Sequence, residues 1–189
     1  MINKKLSTQI SDFMPEFKLK ILYFNAGIYG KNDSIDKSIG IGFATNYQLN
    51  IGVNVHVKEL EFGEDELVSL TFWDISNKEN FKFFRQSLYR GISGAVLIFD
   101  ISDLQMYEEI KKLLADIQEV VGKKVPFILI GINSSISDSG SPLDRKEIDS
   151  FIEIEGGVYM ETTDKIEEQF NEAIYDLTRQ IIEERMLLH

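Results

Sequence analysis

The sequence predicts a doubly wound α/β fold: a six-stranded, mostly parallel sheet with one antiparallel edge hairpin and helices on both faces. Three observations predict it. Apolar runs alternate with helix-period segments along the whole chain. Several of those runs, KILYF, AVLIF and FILI, are apolar without alternation, as strands covered on both faces require. One run, VNVHVKEL, does alternate, and the turn-rich spacer EFGEDE ties it to its successor, as an edge hairpin requires.

Taken in order, LKILYF (19–24) is the first strand, IGVNVHVKEL (51–60) and LVSLTFWD (67–74) form the hairpin, and GAVLIFD (94–100) is the fourth strand. A helix follows over 104–121, where Leu104, Ile110, Leu113, Leu114, Ile117 and the Val120–Val121 pair recur at spacings of three and four. PFILIGI (126–132) is the fifth strand, and a helix over 142–153 opens at Ser141–Pro142, because proline suits a first helical position. GVYMET (157–162) is the sixth strand. The last helix, 165–188, carries Ile166, Phe170, Ile174, Leu177 and Ile181 on one stripe. Residues 1–16 form an N-terminal extension with a modest amphipathic pattern (Leu6, Ile10, Phe13, Met14), and 17–189 form a single domain.

Composition narrows the function. The 189 residues are 43% hydrophobic and 27% charged, and 31 acids against 20 bases leave a net charge of −11. Such a chain repels nucleic acid and anionic membranes, and its densest basic patch, Lys82 to Arg90, holds three bases. There is no cysteine, which removes disulfides, cysteine–zinc sites, a thiol nucleophile and an acceptor for lipid groups. Apolar runs are too short to span a bilayer, and the N-terminus lacks the apolar core of a signal peptide, so a cytoplasmic protein with no lipid anchor is expected. His56 and His189 form no pair, and the acids Glu61, Glu64, Asp65 and Glu66 suit a solvated hairpin turn.

In a doubly wound sheet, ligands bind at the carboxyl ends of the strands, where the order of connections switches. The segments to inspect are 25–33, 45–51, 74–80, 132–141 and 161–165. Read together, KILYFNAGIYGKND, NIGVNV, FWDISNKENF, SLYRGISGAVLIFDISD, PFILIGINSS and YMETTDK resemble, in order and spacing, a small GTPase of the Ras superfamily, closest to its Rab branch. The resemblance covers residue 18 to about 187 and implies the P-loop small-GTPase fold.

Against that family's pattern the chemistry departs loop by loop. A phosphate loop needs glycines so that backbone N–H groups can close on phosphates, a lysine for the β and γ charges, and a hydroxyl for magnesium. This chain offers Gly27, Gly30 and Lys31, with Asn25 in place of the first glycine and Asn32 in place of the hydroxyl. The first-switch threonine is replaced by Asn50. In the second switch Asp74 matches the magnesium-supporting acid, while Asn77 replaces the γ-phosphate-binding glycine and Lys78 the water-orienting glutamine. After FILIG, Ile132-Asn133-Ser134-Ser135 lacks the guanine-reading acid in either register, and Glu161-Thr162-Thr163-Asp164-Lys165 carries an acid where the family has a small residue. Three such losses remove about 5 kcal/mol at 1.5–3 kcal/mol each, roughly four decades of affinity.

Two expectations follow from the resemblance. The first is a pseudo-GTPase: a protein-interaction or regulatory module with little or no GTP hydrolysis and no bound cofactor, docking through the edge hairpin and switch region. The positions matching the family's apolar effector triad are Val55, Trp73 and Leu88, although Trp73 serves equally well as a core residue. The alternative is an atypical small GTPase, in which Gly27, Gly30, Lys31 and Asn32 hold GTP or GDP, and Asn32 and Asp74 hold magnesium.

Overall fold

The computed structural model describes residues 17–25, 47–49, 53–62, 66–75, 85–132, 143–161 and 166–187. Its strands are β1 (Phe17–Asn25), β2 (Tyr47–Leu49), β3 (Val53–Phe62), β4 (Glu66–Ile75), β5 (Ile92–Asp100), β6 (Phe127–Ile132) and β7 (Gly157–Glu161). The described helices are α1 (Arg85–Tyr89), α2 (Leu104–Val121), α3 (Arg145–Glu155) and α4 (Ile166–Leu187). One sheet contains all the strands in the order β2-β3-β4-β1-β5-β6-β7. The pairs β4·β1, β1·β5, β5·β6 and β6·β7 are parallel, while β3 runs antiparallel to both β2 and β4.

All six predicted strands are therefore present in a seven-stranded sheet, and the predicted hairpin, β3–β4, lies one strand in from its edge. The three-residue β2 adds a short outermost strand, and α1 adds five residues of helix. Both are too short to show a period, so no pattern in the chain announces them.

The continuous apolar runs reflect burial on both faces. Along β1, Leu19, Ile21 and Tyr23 face a core layer closed by Phe170, Ile174, Leu177 and Ile181 of α4. The intervening Leu22 and Phe24 face a second layer, closed by Tyr107, Ile110, Leu114 and Ile117 of α2 and Ile148 of α3. Side chains alternate between faces, so a strand with helices on both sides must be apolar at every position. Each such side chain removed from water contributes about 1.5–3 kcal/mol. By contrast, β3 is fully buried only at Val53 on the α2 side and at His56 on the opposite face, and it carries exposed acids at Glu59 and Glu61.

Helix ends follow their capping chemistry. The Asp103 side chain accepts from Met106 N at 2.9 Å and opens α2, while Gly122 closes it at φ 78°, a left-handed conformation that glycine adopts without a Cβ penalty. Asp144 opens α3 by accepting from Lys146 N at 3.0 Å. This corrects the predicted start at Ser141–Pro142: an aspartate offers an acceptor to the unpaired N–H groups of the first turn, which proline does not. Among the described residues, no helix is long and apolar enough to cross a membrane.

The sheet topology creates the cleft. Strand order reverses at β1, whose neighbours are β4 on one side and β5 on the other. The carboxyl ends of the parallel strands, Asn25, Ile75, Asp100, Ile132 and Glu161, therefore lie along one rim.

Candidate functional site

Asp74 stands on that rim. It lies in register with Tyr23 of β1 and directly opposite Asn54 of β3, whose Nδ2 donates to Asp74 Oδ2 at 3.4 Å. A carboxylate is thus fixed two residues short of the end of β1. The phosphate-loop candidates Gly27, Gly30, Lys31 and Asn32 lie outside the described residues, as do Asn50, Asn77, Lys78 and residues 133–135. Magnesium carried by a nucleotide would fit Asp74 as an acid that steadies the metal's water. Among the described residues, no group of three or more His, Cys, Asp or Glu could itself cage a metal.

Further along the rim, Glu161 is engaged by the protein's own side chains. Its Oε1 accepts from the Tyr159 hydroxyl at 3.0 Å and from Arg145 Nη1 at 3.0 Å. The Arg145 guanidinium lies 4.5 Å from the Tyr159 ring centroid, and its Nε donates to Asp149 Oδ1 at 3.0 Å. Burial, with the Glu161 carboxylate beside it, pushes the Tyr159 phenol far above its usual range, so it stays a donor. Beneath this group is Gly131 of β6, where a Cβ would press on the Tyr159 hydroxyl and on Ile101. Next to it, Asp100 organises the turn into α2, accepting from Ser102 N at 2.9 Å and Ser102 Oγ at 2.5 Å.

The other candidate residues gather on one side of the hairpin. Val55 and Trp73 are directly opposite each other on β3 and β4, both half-buried and packed against the α2-side core. Leu88, in α1, is only 8% exposed and belongs to that core. Trp73 Nε1 donates to Thr71 Oγ1 at 3.3 Å, and Thr71 Oγ1 in turn donates to Leu19 O at 3.1 Å. Over the ring sits the Lys20 ammonium, 4.2 Å from its centroid. The same ammonium donates to Leu88 O and, at 3.0 Å, to Arg90 O. Burial holds the Lys20 amine below the usual lysine range. The structure thus brings Val55, Trp73 and the end of α1 together around a residue that motif reading had passed over.

Sheet order, with the antiparallel hairpin beside one edge, is that of the small-GTPase fold, and the comparisons agree. The Ras family model matches residues 21–183. The chain belongs to the Ras family, on its Rab-like side. It is 28% identical over 169 residues to the Ras-related protein Rab-32B of Dictyostelium discoideum, covering 87% of this chain and 64% of that protein, just under two thirds of its length. It is 26% identical to the Ras-related protein RABG3f of Arabidopsis thaliana, covering 82% of this chain and 78% of the relative. With the Ras-related protein Rab-10 of Caenorhabditis elegans the identity is 27%, over 88% and 81%.

Three participants were missed in the sequence: Lys20, Asn54 and Arg145. Lys20 left one trace, a charge inside a strand whose neighbours Leu19, Ile21 and Leu22 are buried. Asn54 and Arg145 left none, because a polar residue in an edge strand or a helix's first turn is ordinarily solvated.

Proposed function

We propose that this chain works in the cytoplasm as a protein-interaction module on a Rab-like fold, with little or no GTP hydrolysis. The observation that carries this reading is the set of residues at the motif positions: Asn32 for the metal hydroxyl, Asn77 for the γ-phosphate glycine, Lys78 for the water-orienting glutamine, and no acid in 132–135. A lysine ammonium has donors only, so Lys78 cannot accept the hydrogen bond that orients an attacking water.

The docking face is Val55 and Trp73; Leu88, expected from the resemblance to join them, is 8% exposed and lies in the core behind the face. A large aromatic ring beside an aliphatic partner, half-buried and held at its edge by Thr71, is the kind of rigid anchor that dominates interface energetics. The partner is a protein that presents an apolar side chain to the Trp73 ring.

A second reading keeps the nucleotide, and the retention of Gly30, Lys31 and Asp74 favours it. In that case Gly27, Gly30 and Lys31 hold the phosphates, and Asn32 and Asp74 serve the magnesium. The metal, when bound, supplies charge neutralisation to the phosphate oxygens. Titration calorimetry with GTP, GDP and ATP in magnesium separates the two readings. The proposal expects no binding tighter than micromolar, and tight binding abolished by Lys31→Ala overturns it.

A further inference from the structure

We propose that Lys20 is the positioning residue of the docking face, a single ammonium that holds the Trp73 ring and the carboxyl end of α1 in one arrangement. The inference rests on the reading of Val55 and Trp73 as a docking face, and adds what sets that face's geometry.

Four observations converge on it. Lys20 lies on β1, at the centre of the sheet, in register with Thr71 of β4 and Ile92 of β5, so its stem starts from a rigid backbone. It shares a side of β1 with Leu22, which is itself in register with Trp73. Its ammonium is 4.2 Å from the Trp73 ring centroid, within reach of the ring's negative face. Its remaining protons go to Leu88 O and Arg90 O, carbonyls at the end of a five-residue helix that has no further turn to pair them.

The arrangement does what neither element does alone. The last carbonyls of any helix lack an intrahelical partner, and those at the end of α1 need one from elsewhere in the fold. Trp73, on β4 between β3 and β1, is only half-buried, so core packing alone does not fix its ring. Lys20 meets both needs at once, and it acts from β1, outside the segments that the family's nucleotide would touch. Thr71 fixes the indole edge, while Lys20 fixes its face and joins it to α1.

Trp73 is the only tryptophan in the chain, so its fluorescence reports on this contact directly. In Lys20→Met, which keeps the stem and removes the charge and donors, acrylamide quenching of Trp73 is expected to rise about two-fold, and amide exchange at 88–91 about ten-fold, with β5 and β6 amides unchanged. Lys20→Arg, with a planar cation and several donors, restores both towards the parent values. Thr71→Val loosens the ring and leaves exchange at 88–91 alone. If Lys20→Met does not fold, Lys20→Gln reads the same quantities.

Unchanged quenching and exchange in both uncharged variants overturn the inference. So does faster exchange spread evenly over β5 and β6, which marks a general loss of stability. These readouts need no partner, so their failure counts against Lys20 alone. The docking reading fails separately, if a protein shown to bind this chain binds Trp73→Ala equally well.

Discussion

Asn54 and Asp74 face each other across β3 and β4, and the amide of one donates to the carboxylate of the other at 3.4 Å. The contact sits at the open end of the hairpin, next to the end of β1. If its role is to close the hairpin, Asn54→Ala should lower stability by about 1 kcal/mol, the net worth of an ordinary hydrogen bond, because at 3.4 Å the contact is too long for the full strength of one to a charged group. Magnesium with GDP should leave the melting temperature of the parent chain unchanged. A rise of several degrees on adding them would speak for the nucleotide reading, since a ligand that binds only the folded state stabilises it by mass action.

Trp73 and Leu88 should respond differently to truncation. Leu88, at 8% exposure, is packed among Tyr89, Ile92 and the α2 side chains, so Leu88→Ala should cost about 2–4 kcal/mol. Trp73 is half-buried, and Trp73→Ala should cost less stability than its size alone would predict. Urea melts of the two variants decide this, and a larger loss for Trp73→Ala would return that residue to the core.

Tyr107 carries a polar group in a poor place. At 1% exposure it lies against Phe99 and Phe151, and among the described residues its hydroxyl has no hydrogen-bond partner. Tyr107→Phe should leave stability at neutral pH unchanged or raise it by about 1 kcal/mol, because the buried hydroxyl is lost with no bond broken. Burial, opposed by Lys111 and helped by Glu147 and Glu108, pushes the phenol up from its usual 10.0 to about 12. The folded chain therefore keeps this proton at a pH where the unfolded chain has released it, and stability falls as pH rises through that window. Thermal melts at pH 7 and at several points from pH 10 upward should show a shallower decline for Tyr107→Phe than for the parent.

Gly131 holds space for the Tyr159 hydroxyl. A Cβ at that position would crowd both that hydroxyl and Ile101, and β6 is too firmly paired to move aside. Gly131→Ala should cost about 1–3 kcal/mol, the usual range for overpacking. Adding Tyr159→Phe should recover part of the loss by removing the nearest atom. Purely additive costs in the double variant would show that the collision is elsewhere.

Much of the fold was legible because burial on two faces writes itself into composition: KILYF, AVLIF and FILI have no alternation, since each residue meets one helix layer or the other. The helix over 104–121 was legible to the residue from the spacing of its apolar side chains, and in the structure the Asp103 carboxylate and the left-handed backbone of Gly122 cap it at those same ends. The start of α3 was not: the sequence was read as opening it at Ser141–Pro142, whereas the bond from Lys146 N to the Asp144 carboxylate sets its first turn. At the proposed site, Asp74, Val55 and Trp73 were singled out by their match to the family's motif positions. Lys20 carried no such mark.

Hydrophobic patterning and motif order by themselves determined the α/β class, the strands, the hairpin and the Ras-family membership, because each depends on residues near one another in the chain or on collinear spacing. Which groups meet was left to the tertiary structure. The Lys20 ammonium and the Leu88 carbonyl are separated by 68 positions, and nothing local to either one specifies the other. They meet because β1 lies between β4 and β5, so a side chain leaving the centre of the sheet reaches a ring on one neighbouring strand and the end of the helix that leads into the other.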